Sequence, residues 1–556
     1  MERDGEDPEM LDLGIKLFLY VAYDYLPEAP VSPTPTLSLA GAWWVHNGVD
    51  RISRLPDVVL RDVISRLPAK DAARTAALSS RWRPLCRSAP LALVDSHLLP
   101  DGGAADPFTI GAPSHRAVTA AVSRILAAHP GPFRCVHLTC TTMDEHRGEM
   151  TRWLDVLAAK GVEELIFVNR PWPLDLRLPA TIFSCGASLT RLYLGVWRLP
   201  DMAAVPRGAG FPKLRELGLC MTVMEDCDLA FMLERSPVLE FLVIMASQTG
   251  VRLRLVSQSL RCVQLDYTHL KDIDVVDAPR LERLFQCTTF LESELTATSL
   301  SPMNCSSRIK IGHAPNLRVL GYLQPGEQEL GISNTVIVAG NKESIIPNLI
   351  CMCSCAVSIN NTPNLSSQLA VYLSLVALQA GTKESIVPSV QILAIEVQFG
   401  IRNAVKQESA CGDLAILSPT ISEEPTGKVN IKFWQEGAPI KCVAQSMKKV
   451  FFYEFRGSRS EVVFLKFLAE RGRVLEQMVV VVASECFTSG SGYVNDKLKP
   501  LISAKWSSKG CKLQLFKSPV GEGSGPAYSH ELASDFGFPD PFDLKYYYKA
   551  ERISVS

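Results

Sequence analysis

No surplus of either charge marks this chain of 556 residues: 57 Lys plus Arg stand against 58 Asp plus Glu, a formal net charge of −1. A protein held to nucleic acid mainly through phosphate contacts carries a basic excess, so no nucleic-acid partner is expected. No basic n-region opens the sequence; MERDGEDPEM is acidic, and no secretory signal is expected. The most apolar early stretch, Ile15 to Tyr23, is interrupted by Lys16 and followed by Asp24. It falls short of the roughly 20 apolar residues a spanning helix needs, so no membrane partner is expected. The 16 cysteines are scattered and form no compact framework, which points to reduced thiols and a location in the nucleus and/or cytoplasm.

Catalytic signatures are equally scarce. The phosphate-cradling G-x-x-x-x-G-K-[ST], the G-x-S-x-G elbow and the H-E-x-x-H zinc helix are all missing. Gly521, Gly523 and Gly525 form GEGSG, but Pro526 follows where a phosphate loop would open a helix. Cys351, Cys353 and Cys355 lack the paired C-x₂₋₄-C spacing of structural zinc, and the nearest histidine, His313, sits in a linker. No catalytic residue, cofactor or metal is expected.

What is present is apolar and organised. Hydrophobic residues make up 47% and charged residues 21%, the balance of a folded chain of about three to four domain-sized pieces. Residues 1–48 turn proline-rich (PEAPVSPTPT) and read as a disordered leader, with Trp43 and Trp44 either tucked against the next element or left in a tail. Residues 49–95 change character. Val59, Leu60, Val63, Ile64 and Leu67 fall on one helical face, with Pro56 at the start and Pro68 at the end. A second helix is expected from about Asp71, with Ala72, Ala76, Leu78 and Trp82 inward, Arg74, Arg81 and Arg83 outward, and Pro84 closing or kinking it. So short a module cannot bury all its apolar surface alone; the leftover edge should meet a partner or the following domain. Nine Lys/Arg against four Asp between 50 and 90 make this stretch basic, a solvated face or a complement to an acidic partner. Residues 96–130 read as a linker helix region.

From 131 to 325 a repeat sets in. SLTRLYL, KLRELGL, VLEFLVI, SLRCVQL, RLERLFQ and NLRVLGYL lead with Leu189, Leu214, Leu239, Leu260, Leu281 and Leu317, at intervals of 25, 25, 21, 21 and 36. The first four intervals suit leucine-rich repeats, whose L-x-x-L-x-L element is a strand turned into a shared core. FRCVHLTC (133–140) and VEELIFV (162–168) fit as degenerate copies. Several blocks follow a proline, expected to deliver extended chain into each strand.

Residues 326–388 read as an irregular insertion: AGNKESIIPN (339–348) recurs as AGTKESIVPS (380–389), identical at seven of ten positions. A degenerate repeat region is expected over 389–440. Between 441 and 520, KKVFFYEF reads as a strand, Ser458 to Glu461 as a capping box, Gly472 as the residue past the helix, and MVVVVA as a buried parallel strand. Together they make a βαβ unit, followed by a tail at 521–556.

These pieces resemble the plant F-box/leucine-rich-repeat/FBD proteins. DRISRLPD at 50–57, Leu67-Pro68, Lys70-Asp71-Ala72 and LSSRWR at 78–83 look like an F-box; EFRGSRSEVVFLKFLAERGRVLEQMVVVVA (454–483) is similar to the FBD module, and EPTGKVNIKFWQEGAPIKCV (424–443) to the segment before it. The resemblance implies an α/β fold: a short helical F-box, a leucine-rich-repeat solenoid with parallel strands, and a C-terminal βαβ FBD-like module. It also implies a non-catalytic substrate receptor, whose F-box docks a Skp-type adaptor and through it a cullin–RING ubiquitin ligase while the repeats hold a protein target. The alternative is a repeat scaffold acting outside a ligase. Carried over, the adaptor-docking set is Leu55, Pro56, Val59, Leu60, Ile64, Leu67, Pro68, Leu78 and Trp82; Val63 and Ala76 are expected to pack internally. Two departures stand out: Cys86 lies near a position usually aromatic, and 401–423 lacks the repeat pattern. Arg191, Tyr193, Glu216 and Gly218 are expected to line the concave strand face, without an assigned role.

Overall fold

The computed structural model describes residues 23, 25–31, 52–99, 113–141, 147–169, 176–247, 249–266, 268, 270–287, 307–323, 328–332, 335–337, 353–358, 392–396, 447–457, 459–482, 486, 491–517 and 533–538. They fall in two compact units, one within Met1–Asp272 and the other within Ile273–Glu294 and Asn304–Ser556.

The first unit opens with helices α1 (Asp57–Ser65), α2 (Ala69–Thr75) and α3 (Trp82–Ser88). Strands β1 (Leu91–Val94), β2 (Phe133–Leu138), β3 (Glu164–Val168), β4 (Arg191–Gly195), β5 (Glu216–Cys220) and β6 (Phe241–Met245) follow; after the side strand β7 (Val251–Val256) comes β8 (Cys262–Asp266). All of these but β7 pair in parallel, in the order β1-β2-β3-β4-β5-β6-β8. Helices α4 (Pro113–Ala128), α5 (Arg147–Lys160) and α6 (Asp226–Glu234) occupy crossovers, α4 within the stretch read as a linker helix.

The repeat reading translates directly into coordinates. Strands β4, β5, β6 and β8 each start two residues after their leading leucine, and Leu189, Leu214, Leu239 and Leu260 are all buried. Leu192, Leu194, Leu217, Leu219, Leu242 and Ile244 point into the core, because alternate strand positions share a face. Trp197 closes one end of that core, stacking on Phe167 with centroids 4.9 Å apart while its indole N–H donates to the Phe167 carbonyl at 2.8 Å.

The prolines act differently from expectation. Each lies second in a tight turn rather than in extended chain: Leu214 N donates to Phe211 O across Pro212, and Leu239 N to Ser236 O across Pro237, both at 3.2 Å. In the second unit Leu281 and Leu317 close the same turn across Pro279 and Pro315. Proline's fixed φ suits that second position, so the turn aims each leading leucine into the core.

The residue after a repeat strand is left-handed three times running: Val196 (φ 61°), Met221 (φ 52°) and Ala246 (φ 47°). A non-glycine residue there costs about 1–2 kcal/mol. The bend is held by backbone bonds to the next strand end, Val196 N to Cys220 O at 2.9 Å, Met221 N to Met245 O at 2.7 Å and Ala246 N to Asp266 O at 2.8 Å.

Strand β9 (Leu270–Asp277) spans the division between units. The second unit then holds β10 (Arg283–Cys287), β11 (Ser307–His313), β12 (Val319–Leu323), β13 (Gln328–Ile332), β14 (Thr335–Ile337), β15 (Cys353–Ser358), β16 (Ile392–Glu396) and β17 (Met447–Phe455). Helix α7 (Arg459–Arg471), β18 (Gln477–Val482), α8 (Ser491–Ile502) and β19 (Lys512–Lys517) complete it. The sheet order is β10-β12-β16-β15-β17-β18-β19, all parallel. Strands β13, β14 and β15 therefore fall inside the stretch read as an irregular insertion. The duplicated decapeptides and residues 401–423 lie outside the described residues, as do the side chains of Cys351, Cys353 and Cys355.

The βαβ unit is present as β17-α7-β18, with β17 and β18 parallel. Glu461 reaches back to the amide of Arg456, at 3.3 Å from the nearer oxygen, while Ser458 lies outside the described residues. Gly472 is not left-handed. A Cβ there would meet Leu468 O at 2.9 Å and Leu475 Cβ at 3.2 Å, so its role is space, not φ. Part of the expected tail is anchored too: buried Arg283 donates to Ala533 O at 2.7 Å and to Phe538 O, with Phe536 4.7 Å from its guanidinium. Among the described residues no helix is long and apolar enough to cross a membrane.

Candidate functional site

The three N-terminal helices divide their apolar residues between two tasks. Leu60, Ile64, Ala72, Trp82 and Leu85 are buried and form the module's own interior. Ile52 (59% exposed), Val58 (73%), Leu78 (65%), Leu55, Val59 and Val63 remain on the surface. Pro56 caps α1 and is exposed, whereas Leu67 and Pro68 are half-buried, Pro68 pairing with Ala92 of β1. Of the nine residues read as docking, Leu55, Pro56, Val59 and Leu78 thus share the exposed surface, while Leu60, Ile64 and Trp82 are turned inward. Val63, expected to pack internally, is exposed; Ala76 is half-buried. A helix one turn per 3.6 residues cannot bury both rows of so wide a stripe against one neighbour.

The expected second helix is two. Helix α2 ends at Thr75, which leaves Leu78 in the connection and outward, and Pro84 stands in the first turn of α3, where no donor is lost. Arg81, read as an outward cation, is a clamp. Its guanidinium contacts Asp57 Oδ1 at 2.6 Å and Leu55 O at 2.8 Å and also donates to Ser53 O, holding the Leu55-Pro56 turn against α3. Cys86 is half-buried and its thiol donates to Ala72 O at 3.2 Å, filling its position with a small polar contact. Arg66–Asp62 and Arg74–Asp71 pair locally on the surface, where such pairs contribute little. Arg54, Lys70, Arg83 and Arg87 are exposed as well, leaving the surface of the module basic.

A second group of polar side chains lies on the strand face opposite the leucine core. Arg191 Nε meets Glu216 Oε2 at 2.8 Å and its Nη1 meets Glu164 Oε2 at 3.1 Å; Tyr193 donates to Glu216 Oε1 at 2.7 Å. His137 Nε2 lies 2.6 Å from Glu164 Oε1, with Cys135 Sγ 3.3 Å from the same oxygen. The Cys135, His137 and Glu164 donor atoms fall within 4.8 Å of one another. Both Glu164 oxygens already accept from neighbours, and burial together with the Glu164 charge pushes the Cys135 thiol far up. The group reads as a buried hydrogen-bonded chain. Gly218 allows it: a Cβ there would stand 2.1 Å from Tyr193 Cδ1.

Burial raises Glu164, but the hydrogen bond and charge of His137 and the charge of Arg191 outweigh it, leaving the carboxyl below its ordinary value. Burial also pulls His97 and His129 below their ordinary 6.5, only partly countered by Asp95 and by the Ala89 carbonyl. Each histidine therefore binds its proton more readily unfolded, so stability is full above pH 6.5 and is lost as pH falls below it. Glu164 adds a loss at lower pH, as its depressed folded value is crossed. The expected result is an unfolding midpoint of the first unit that declines progressively below pH 6.5, less so in His97→Gln/His129→Gln; a midpoint flat across that range would contradict it.

Family comparison fits this geometry module by module. The F-box domain model matches residues 52–92, the model described as "FBD-associated F-box protein At5g56370, LRR repeats" matches 150–375, and the FBD model matches 435–480. An F-box, leucine-rich repeats of the FBD-associated F-box type and an FBD domain thus follow one another along the chain. F-box/LRR-repeat protein 13 of Arabidopsis thaliana is 28% identical over 42% of this chain and 51% of its own length. F-box/LRR-repeat protein At3g59200 is 30% identical over 35% and 36%, and FBD-associated F-box protein At4g13985 is 28% identical over 42% and 51%, both from the same plant. The chain thus spans between about a third and a half of the length of these curated relatives. The F-box model covers α1–α3, the repeat model runs from within α5 to beyond β15, and the FBD model ends within β18.

Proposed function

We propose that the chain is a non-catalytic substrate receptor of a Skp–cullin–F-box type ubiquitin ligase, acting in the nucleus and/or cytoplasm. The F-box would dock the adaptor and the repeats would recruit a protein target. The observation that carries this reading is the exposed set Leu55, Val59 and Leu78 on a module whose interior is already filled by Leu60, Ile64 and Trp82. Exposed apolar side chains on a module that also exposes a basic excess suit docking of an acidic partner. The receptor's contribution is effective concentration: it holds a target beside a ubiquitin-loaded enzyme brought by other subunits, and supplies no reacting group itself.

Co-purification of the full chain with an acidic Skp-type adaptor tests the reading. A stoichiometric complex is expected for the wild type, lost in Leu55→Ala/Pro56→Ala. A folded wild-type chain that forms no complex would leave the repeat-scaffold reading in its place.

A further inference from the structure

We propose that the strand face of the first unit is a groove for a peptide with a tyrosine-bearing turn followed by proline-rich chain, occupied here by the chain's own residues 23 and 25–31 and able to take a protein segment of the same chemistry in their stead. The segment reads Tyr-Asp-Tyr-Leu-Pro-Glu-Ala-Pro-Val from Tyr23 to Val31. Tyr23, Tyr25 and Leu26 pack on a cluster of Ile166, Val168, Tyr193, Val196, Met221 and Met245, and the Tyr23 hydroxyl donates to the Thr139 carbonyl. Five residues on, Val31 is buried among Ala92, Val94 and Cys135, with Ala29 beside it. The segment thus crosses from the ends of β3–β6 to β1 and β2.

Three features mark this as a recognition groove. The left-handed residues Val196, Met221 and Ala246, one from each of three successive repeats, all carry their side chains into the cluster that meets Tyr23 and Tyr25. Glycine would relieve that backbone at every one of them, so the packing of these side chains is what the strained conformation serves. Among the described residues no strand pairing joins the segment to the sheet; Tyr23, Tyr25, Leu26 and Val31 pack on it through their side chains. Leu26 N donates to Tyr23 O at 3.1 Å, closing a turn, and beyond it Pro27 and Pro30 fix φ, which lowers the ordering cost of a peptide bound in this way.

Residues 32–51 tether the segment to the F-box, so the internal copy competes at high effective concentration. A partner segment would carry two aromatic residues separated by one position, then Leu-Pro and small apolar residues. This inference does not depend on adaptor docking, which uses a different face.

The test uses the full chain with a protease site inserted between residues 35 and 36, and a fluorescent peptide of residues 20–33. After cleavage the peptide is expected to bind saturably and displace the released fragment, with affinity about 100-fold above that for the uncleaved chain. Val196→Gly/Met221→Gly, compatible with the left-handed backbone, should weaken that binding about tenfold while the chain stays folded. A Tyr23→Ala/Tyr25→Ala peptide should not bind. A fragment that stays in place without exchanging, a cleaved chain that unfolds, or binding unchanged in the double glycine variant would each overturn the proposal and make the segment a fixed part of the fold.

Discussion

Asp95→Ala will cost the first unit about 3–5 kcal/mol, because three buried amides lose their acceptor at about 1–3 kcal/mol each. Asp95 follows β1 immediately and is fully buried. Its Oδ1 accepts from Thr139 N at 3.0 Å and Thr139 Oγ1 at 3.1 Å; its Oδ2 accepts from Cys140 N and Thr141 N, both at 2.8 Å, and from Thr141 Oγ1 at 2.7 Å. One side chain thus satisfies three consecutive amides of the turn that leaves β2. Alanine strands them in an interior that water does not reach, and each unsatisfied donor costs about 1–3 kcal/mol. Asp95→Asn keeps one acceptor oxygen but turns a donor toward the other amides, and should recover only part of the loss. The Thr139 carbonyl also receives Tyr23, so amide exchange at residues 25–31 should speed up in the same variant. Urea unfolding of the first unit reads the main effect. A midpoint shift worth less than about 1 kcal/mol would show that the turn is held by its β2–β3 pairing instead.

Much of this fold was legible because its strongest signal is periodic. Leu189, Leu214, Leu239 and Leu260 recur at the spacing of a stacked repeat, and the stacked parallel strands bury all four. What was not legible involves choices that hydrophobicity does not encode. Val59 and Leu60 are adjacent and equally apolar, and only the placement of α3 decides which faces in. Arg81 looks like a surface cation until the chain returns Ser53, Leu55 and Asp57 to it. The left-handed bends at Val196, Met221 and Ala246 carry neither glycine nor asparagine, the residues that normally announce them. The leader misled by composition: prolines remove ladder donors, which argues against a strand, but they do not prevent two tyrosines from docking on a distant sheet.

The adjacency of Val59 and Leu60 sets up the sharpest test of the docking surface. Leu60→Ala removes buried methyls from the F-box interior and should destabilise it by about 2–5 kcal/mol, with adaptor binding falling only as far as the folded fraction does. In Val59→Asp/Leu78→Asp both residues are exposed, at 41% and 65%, and stability should stay within about 1 kcal/mol of the wild type. Binding, however, should fall at least ~100-fold, since two contacts that the adaptor would bury become charges lacking partners. Measured together, urea midpoints and adaptor titrations then separate along two axes, one variant moving stability and the other moving affinity. Full-strength adaptor binding by a folded Val59→Asp/Leu78→Asp chain would sink this assignment of the surface. The exposed residues would then owe their position to the geometry of a helix packed on one side only, and docking would have to run through the exposed arginines or another face.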